Sequence, residues 1–125
     1  GKANEAGEMS ADSLTELRAA VRAFAAERAW ERFHSPKNLA MALAGEAGEV
    51  IEHFQWLSEA QSAALDPAQR EEVALELADV LLYLLRLSDV LEIDLAAAAR
   101  RKLQINAQRY PVDKAHGRAE KHDRL

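Results

Sequence analysis

Apolar residues recur at three- and four-residue intervals along most of this chain, the spacing of helices that bury one face. The first stripe is Leu14, Leu17, Val21, Phe24 and Ala25, running on to Trp30, with Arg18, Arg22, Glu27 and Arg28 on the wetter side. Ser13-Leu-Thr-Glu16 ahead of it fits a capping box, in which the Ser side chain accepts from the third amide while Glu16 reaches back. Residues 1–9 are small, polar and aperiodic, and are expected to form a disordered lead. Ser35 as cap and Pro36 at the first helical position open a second helix that is expected to reach Leu57. Residues 58–65 read as a loop. Asp66-Pro67 repeats the cap-then-proline signature, and a leucine-rich third helix follows as far as Glu92. Asp94 caps a fourth, Leu95 to Gln108, which Arg109-Tyr110-Pro111 ends because proline disfavours helix in the residue before it. Residues 112–125 form a polar tail, expected to be irregular.

Four helices with short links predict an all-α, four-helix bundle-like domain over residues 10–111, between the lead and the tail. At 125 residues there is room for one core. The third helix is apolar almost all round, which places it centrally or under another subunit, so a homo-oligomer is expected. Without cysteine there is no disulfide framework and no thiolate metal site. No apolar run is long enough to span a membrane and the start lacks a signal-peptide pattern, so no membrane partner and a cytoplasmic address are expected. A net charge of −5 argues against a nucleic-acid-coating surface.

The candidate chemistry lies in Gly45-Glu46-Ala47-Gly48-Glu49. Helical geometry puts Glu46 and Glu49 on one face with Leu39, Ala42, Leu43, Val50 and His53. Carboxylates on an apolar face are costly unless something compensates their charge. Glu76 and Asp79, again three apart, answer them from the third helix. If the two helices run antiparallel, four carboxylates meet, a set suited to a hard cation such as Mg²⁺, with Mn²⁺ as the alternative. Gly45 and Gly48, each costing about 1 kcal/mol against alanine in a helix interior, predict close approach by another backbone or a ligand. Three chemistries fit acids of this kind. One is Mg²⁺-dependent hydrolysis of a nucleoside triphosphate. A di-iron bundle needs Glu-x-x-His from two helices, whereas only Glu31-Arg-Phe-His34 is present. A non-catalytic helical interaction module would use the acids as a solvated stripe.

The blocks Phe24-Ala-Ala-Glu-Arg-Ala-Trp30-Glu-Arg-Phe-His34-Ser-Pro-Lys-Asn38, Gly45-Glu-Ala-Gly-Glu49, Phe54-Gln-Trp56, Glu76-Leu-Ala-Asp79-Val-Leu-Leu-Tyr83 and Asn106-Ala-Gln-Arg109-Tyr-Pro-Val112 resemble, in order, the MazG-like all-α nucleoside triphosphate pyrophosphatases, most of all the dCTP pyrophosphatase branch. The resemblance covers about residues 14 to 112. It implies hydrolysis between the α- and β-phosphates of dCTP or a 5-modified dCTP, Mg²⁺ held by Glu46, Glu49, Glu76 and Asp79, and a dimer or tetramer. Trp30, Trp56 and Tyr83 match aromatic positions of the base and sugar pocket. His34 is expected to contact base or phosphate, Lys37, Lys102 and Arg109 the phosphates, and Tyr110 the substrate, while Asn38 and Asn106 match family positions that cap, orient an acid or read the nucleotide. Val21 departs from the pattern, standing where the vertebrate members carry a histidine facing the base, so dUTP or a phosphoribosyl-nucleotide is the alternative substrate.

Overall fold

The computed structural model describes residues 5–115, with side chains described for residues 13–113. The described elements are helices: α1 Glu5–Glu27, a short 3-10 helix Glu31–Phe33, α2 Pro36–Glu52, α3 Glu59–Ser62, α4 Pro67–Val90, α5 Leu95–Arg109 and α6 Val112–Ala115. The protein is all-α, and no described helix is long and apolar enough to cross a membrane. The chain divides after Ile93 into two compact units.

In the first unit α4, the expected third helix, packs against both α1 and α2. It runs antiparallel to each. Arg22 of α1 reaches Asp89 near the end of α4, and Arg18, a turn earlier, reaches the carbonyl of Ile93 beyond it. Glu46 and Glu49 of α2 gather with Glu76 in the middle of α4, while His34, just before α2, meets Arg86 near the end of α4. Leu39, Leu85 and Ala25, one from each helix, are fully buried. Asp66 starts α4 with a capping box shared with Gln69, and Ser35 caps α2 on the amide of Asn38; each cap contributes about 1 kcal/mol.

Several boundaries differ from the sequence expectation. Helix α1 begins at Glu5, so Ser13 and Glu16 lie inside it and residues 5–9 are its first turns rather than an irregular lead. Residues 1–4 and 116–125 lie outside the described residues. Helix α2 stops at Glu52, where the His53, Phe54 and Leu57 amides reach back only three residues, to Val50, Ile51 and Phe54, and the regular ladder gives way to turns. The loop expected over residues 58–65 holds α3, nucleated by a capping box between Ser58 and Gln61. Residues 112–115, placed in the irregular tail, form α6.

Helices α1 and α4 end alike. Ala29 (φ 53°) and Glu92 (φ 55°) adopt the left-handed conformation. Behind them the Trp30 amide reaches back to Ala25 at 2.9 Å and the Ile93 amide to Ser88 at 2.8 Å. This is the Schellman closure, with a side chain where glycine is usual. At α1 it turns the chain sharply enough to bring Trp30 back against the helix it has just left.

The second unit holds α5, capped by Asp94 on the Ala97 amide, and α6. Tyr110 closes α5 by donating its amide to Asn106 at 2.8 Å.

Candidate functional site

The apolar face of α2 carries its acids inward as the spacing predicts. Leu39 is buried and Ala42, Leu43, Glu46, Val50 and His53 are half-buried, while Glu49 at the edge of that face is exposed. Across from it Glu76 projects from α4, and single oxygens of Glu46, Glu49 and Glu76 lie within 4.8 Å of one another. Asp79, a turn further along α4, stands outside this group of three and lines a neighbouring pocket.

The trio is short of positive charge. Glu76 Oε2 is buried with no hydrogen-bond donor on it, and Oε1 lies 3.6 Å from Nε2 of His53. The close approach of Glu76, then burial and the neighbouring Glu49, push the Glu46 carboxyl up to about 7. Two ionised carboxylates have no donor between them, so a proton or a cation must sit there. An orphaned oxygen and a ring of oxygen ligands fit a hard divalent cation. His53, on the same face of α2, brings its Nε2 to this cluster.

The pocket beside it, about 490 Å³, lies between α1 and α4 and is lined by Leu17, Ala20, Val21, Phe24, Ala25, Trp30, His34, Asp79, Leu82, Tyr83 and Arg86. Leu17 and Phe24, expected in the core stripe, are 38% and 48% exposed because they face this space, while Arg18 takes an inward place beside them. Phe24 and Trp30 meet edge to face at 5.7 Å, and the Arg28 guanidinium lies 3.5 Å over the Phe24 ring. The walls are those of a small-molecule site, mostly apolar with a few polar groups. A flat base stacks well on such rings.

Of the residues picked out from sequence, Trp30, His34, Asp79 and Tyr83 share this pocket, while Glu46, Glu49 and Glu76 share the acid cluster. Trp56 is 86% exposed and does not line it. Lys37 is exposed in the first turn of α2. The Asn38 side-chain amide donates to the Phe33 carbonyl at 3.1 Å, fixing the turn into α2. Lys102, Asn106, Arg109 and Tyr110 lie on α5 and its cap, in the second unit. Among the described residues, Gly45 and Gly48 have nothing within 4 Å of where a Cβ would stand, so no close approach by those residues explains them.

Sequence reasoning missed Arg86. This guanidinium is 7% exposed, with Nε donating to His34 Nδ1 at 3.0 Å and a terminal nitrogen 3.3 Å from Asp89. Its one signal was a charge inside the apolar run Tyr83-Leu-Leu-Arg86-Leu. His34 is held below the ordinary imidazole value, first by burial and then by the Arg86 charge, with Glu31 pulling the other way.

Residues 42–125 match the MazG-like family. A rat protein, dCTP pyrophosphatase 1, is 44% identical over 90% of this chain and 68% of its own length. The chain belongs to the MazG-like family. The human dCTP pyrophosphatase 1 is 42% identical over the same shares. Among solved structures, a pyrophosphatase from Archaeoglobus fulgidus superposes with a TM-score of 0.75 at 40% identity, covering 79% of this chain and 93% of that one. The acids of this MazG-like chain therefore sit in a fold shared with known pyrophosphatases.

Proposed function

We propose that the protein is a dCTP pyrophosphohydrolase, which splits dCTP and its 5-modified forms between the α- and β-phosphates and releases dCMP and pyrophosphate. The observation that carries this reading is an acid cluster one helical turn from an aromatic pocket, in a chain 44% identical over 90% of its length to a dCTP pyrophosphatase.

Glu46, Glu49 and Glu76 are the side chains that would hold a divalent cation, Mg²⁺ by preference, and Asp79 extends the acidic edge toward the pocket. Such a cation neutralises phosphate charge and readies a water for attack on phosphorus. Trp30, Tyr83 and Phe24 enclose the base. Lys37, Lys102 and Arg109 are the cations assigned to the phosphates, Arg109 as a two-pronged donor. Asn106 and Tyr110 are assigned to the nucleotide as well, and Asn38 sets the turn that carries His34.

The protein works as a homo-oligomer in this reading. Among the described residues only three apolar side chains are fully buried, while Met41, Ile51, Trp56, Leu75 and Leu77 are more than half exposed. Large exposed apolar surface of this kind marks a contact with another chain, and a second copy is the occupant we assign.

The deciding experiment incubates the purified protein with each common dNTP and with 5-methyl-dCTP, with Mg²⁺ or with EDTA, and identifies the products by ion-exchange chromatography. Monophosphate plus pyrophosphate, formed only with metal and fastest from dCTP, is the expected result; no turnover of any nucleotide would overturn the reading. Val21 favours a second reading, in which dUTP is taken as readily, because it lines the pocket with no polar atom to select the base.

A further inference from the structure

The most unusual side chain in the first unit is Arg86, a guanidinium buried in the wall of a mostly apolar pocket. Burying a cation is costly unless it is paired and its donors are used. Asp89 supplies the charge at 3.3 Å, and Asp89 is itself held by Arg22 at 2.8 Å and approached by Arg18 at 3.8 Å. Ion pairing leaves unexplained why Nε points to His34, which brings no negative charge.

Guanidinium nitrogens donate and do not accept. The nitrogen that receives Arg86 Nε–H, His34 Nδ1 at 3.0 Å, is therefore the bare one. A neutral imidazole with a bare Nδ1 carries its proton on Nε2, and a guanidinium this close disfavours a second proton on the ring. We propose that Arg86 is a positioning residue for base recognition: it fixes His34 as a ring whose single donor, Nε2–H, serves an acceptor on the edge of a pyrimidine in the pocket. The placement of that base rests on the pyrophosphohydrolase reading above. Val21, elsewhere in the same lining, supplies no hydrogen bond to a base. The charged and titratable groups around His34 are Arg86 and Asp89 on α4, Glu31 in the 3-10 helix, and Asp79 and Tyr83 in the shared lining.

Two measurements on the full chain test this. In isotope-labelled protein without nucleotide, long-range proton–nitrogen correlations should show His34 with Nδ1 bare and Nε2 protonated, and the Nδ1 signal should move in Arg86→Met. A protonated Nδ1 in the wild type, or identical His34 signals in the two proteins, overturns the proposal. Needing no substrate, this measurement decides the point even if dCTP is not hydrolysed, and so separates its failure from that of the activity reading. With dCTP, Arg86→Met should raise KM about tenfold, more than it lowers kcat. Arg86→Lys keeps the charge on Asp89 but lacks the fork that reaches both partners, so it should recover thermal stability without recovering KM. Lower melting temperature with unchanged KM in both variants would make Arg86 a structural ion pair and sink the idea.

Discussion

Arg22 and Asp89 meet as a two-pronged ion pair across the α1–α4 interface, with Arg22 Nε 2.8 Å from one carboxylate oxygen and a terminal nitrogen on the other. Asp89 is thereby the common acceptor for α1 and for Arg86 of its own helix, with side chains only 8% and 10% exposed at the Arg86 contact. Asp89→Asn should destabilise the fold by about 3 kcal/mol, because it leaves a buried guanidinium without its counter-charge. The Asp89 carboxyl lies below the usual aspartate value, first through the Arg22 hydrogen bond. Its contribution is therefore complete above the ordinary aspartate value and is lost as pH falls through the lower folded one. Melting curves of both proteins across acid pH should converge as Asp89 protonates.

Glu46 works in the opposite sense. Its carboxyl is raised to about 7 in the fold, so the folded chain binds the proton more tightly than the unfolded one. Stability from this group is lost as pH rises from the ordinary glutamate value through 7. Metal-free Glu46→Gln should then be more stable than wild type at pH 8, and the advantage should shrink by pH 5. Added Mg²⁺ should raise the melting temperature of the wild type at pH 8 and leave Glu46→Gln nearly unmoved. The comparison isolates Glu46, because His34, which titrates in the reverse direction, is present in both proteins.

Glu49 carries the sharpest test of the metal site. It is exposed at the edge of the acid trio and removes no core contact when changed. Glu49→Gln should lower turnover by at least about a hundredfold with the melting temperature of the metal-free protein little changed. Full activity in this variant would dismiss the acid trio as the metal centre.

How much of this was legible from the sequence follows from the range of each interaction. The caps at Ser35, Asp66 and Asp94 act over three residues, and each begins the helix expected of it. Glu46, Glu49 and Glu76 were legible because helical spacing puts an acid on a face otherwise apolar. Asp79 shows the limit of that rule: three residues from Glu76, it lines the pocket instead of joining the trio. Ser13 misled, since a capping-box pattern can sit inside a helix when residues ahead of it are also helical. The charge of Arg86 stood out in its apolar run, but its role did not, because its partner His34 is 52 residues away and only the packing of α2 on α4 brings them together. The pocket was hidden for a related reason. Leu17 and Phe24 keep core spacing, yet they face a cavity.

The left-handed residue ahead of Trp30 offers a stability gain. Ala29 at φ 53° bears the steric cost of a β-carbon in a conformation that glycine adopts freely. Ala29→Gly should stabilise the protein by about 1 kcal/mol without moving Trp30, whose amide stays on Ala25. A rise in melting temperature with unchanged KM for dCTP is the expected pair of results; a fall would mean that the turn is held by something other than its Schellman bonds.

Trp56 separates the fold from the assembly. An indole that is 86% exposed contributes little to the stability of its own chain, so Trp56→Ala should leave monomer unfolding within about 0.5 kcal/mol of wild type. In the proposed oligomer the same ring is covered by a second copy, and its loss should weaken association. Sedimentation of the two proteins across micromolar concentrations reads this directly. Wild type should sediment as a dimer or larger, with the variant dissociating at higher concentration. If nucleotide affinity falls in step with dissociation, the indole acts on the pocket through the partner chain. A wild-type monomer at all concentrations would remove the oligomer, and with it the account of why Met41, Ile51, Leu75 and Leu77 are left open.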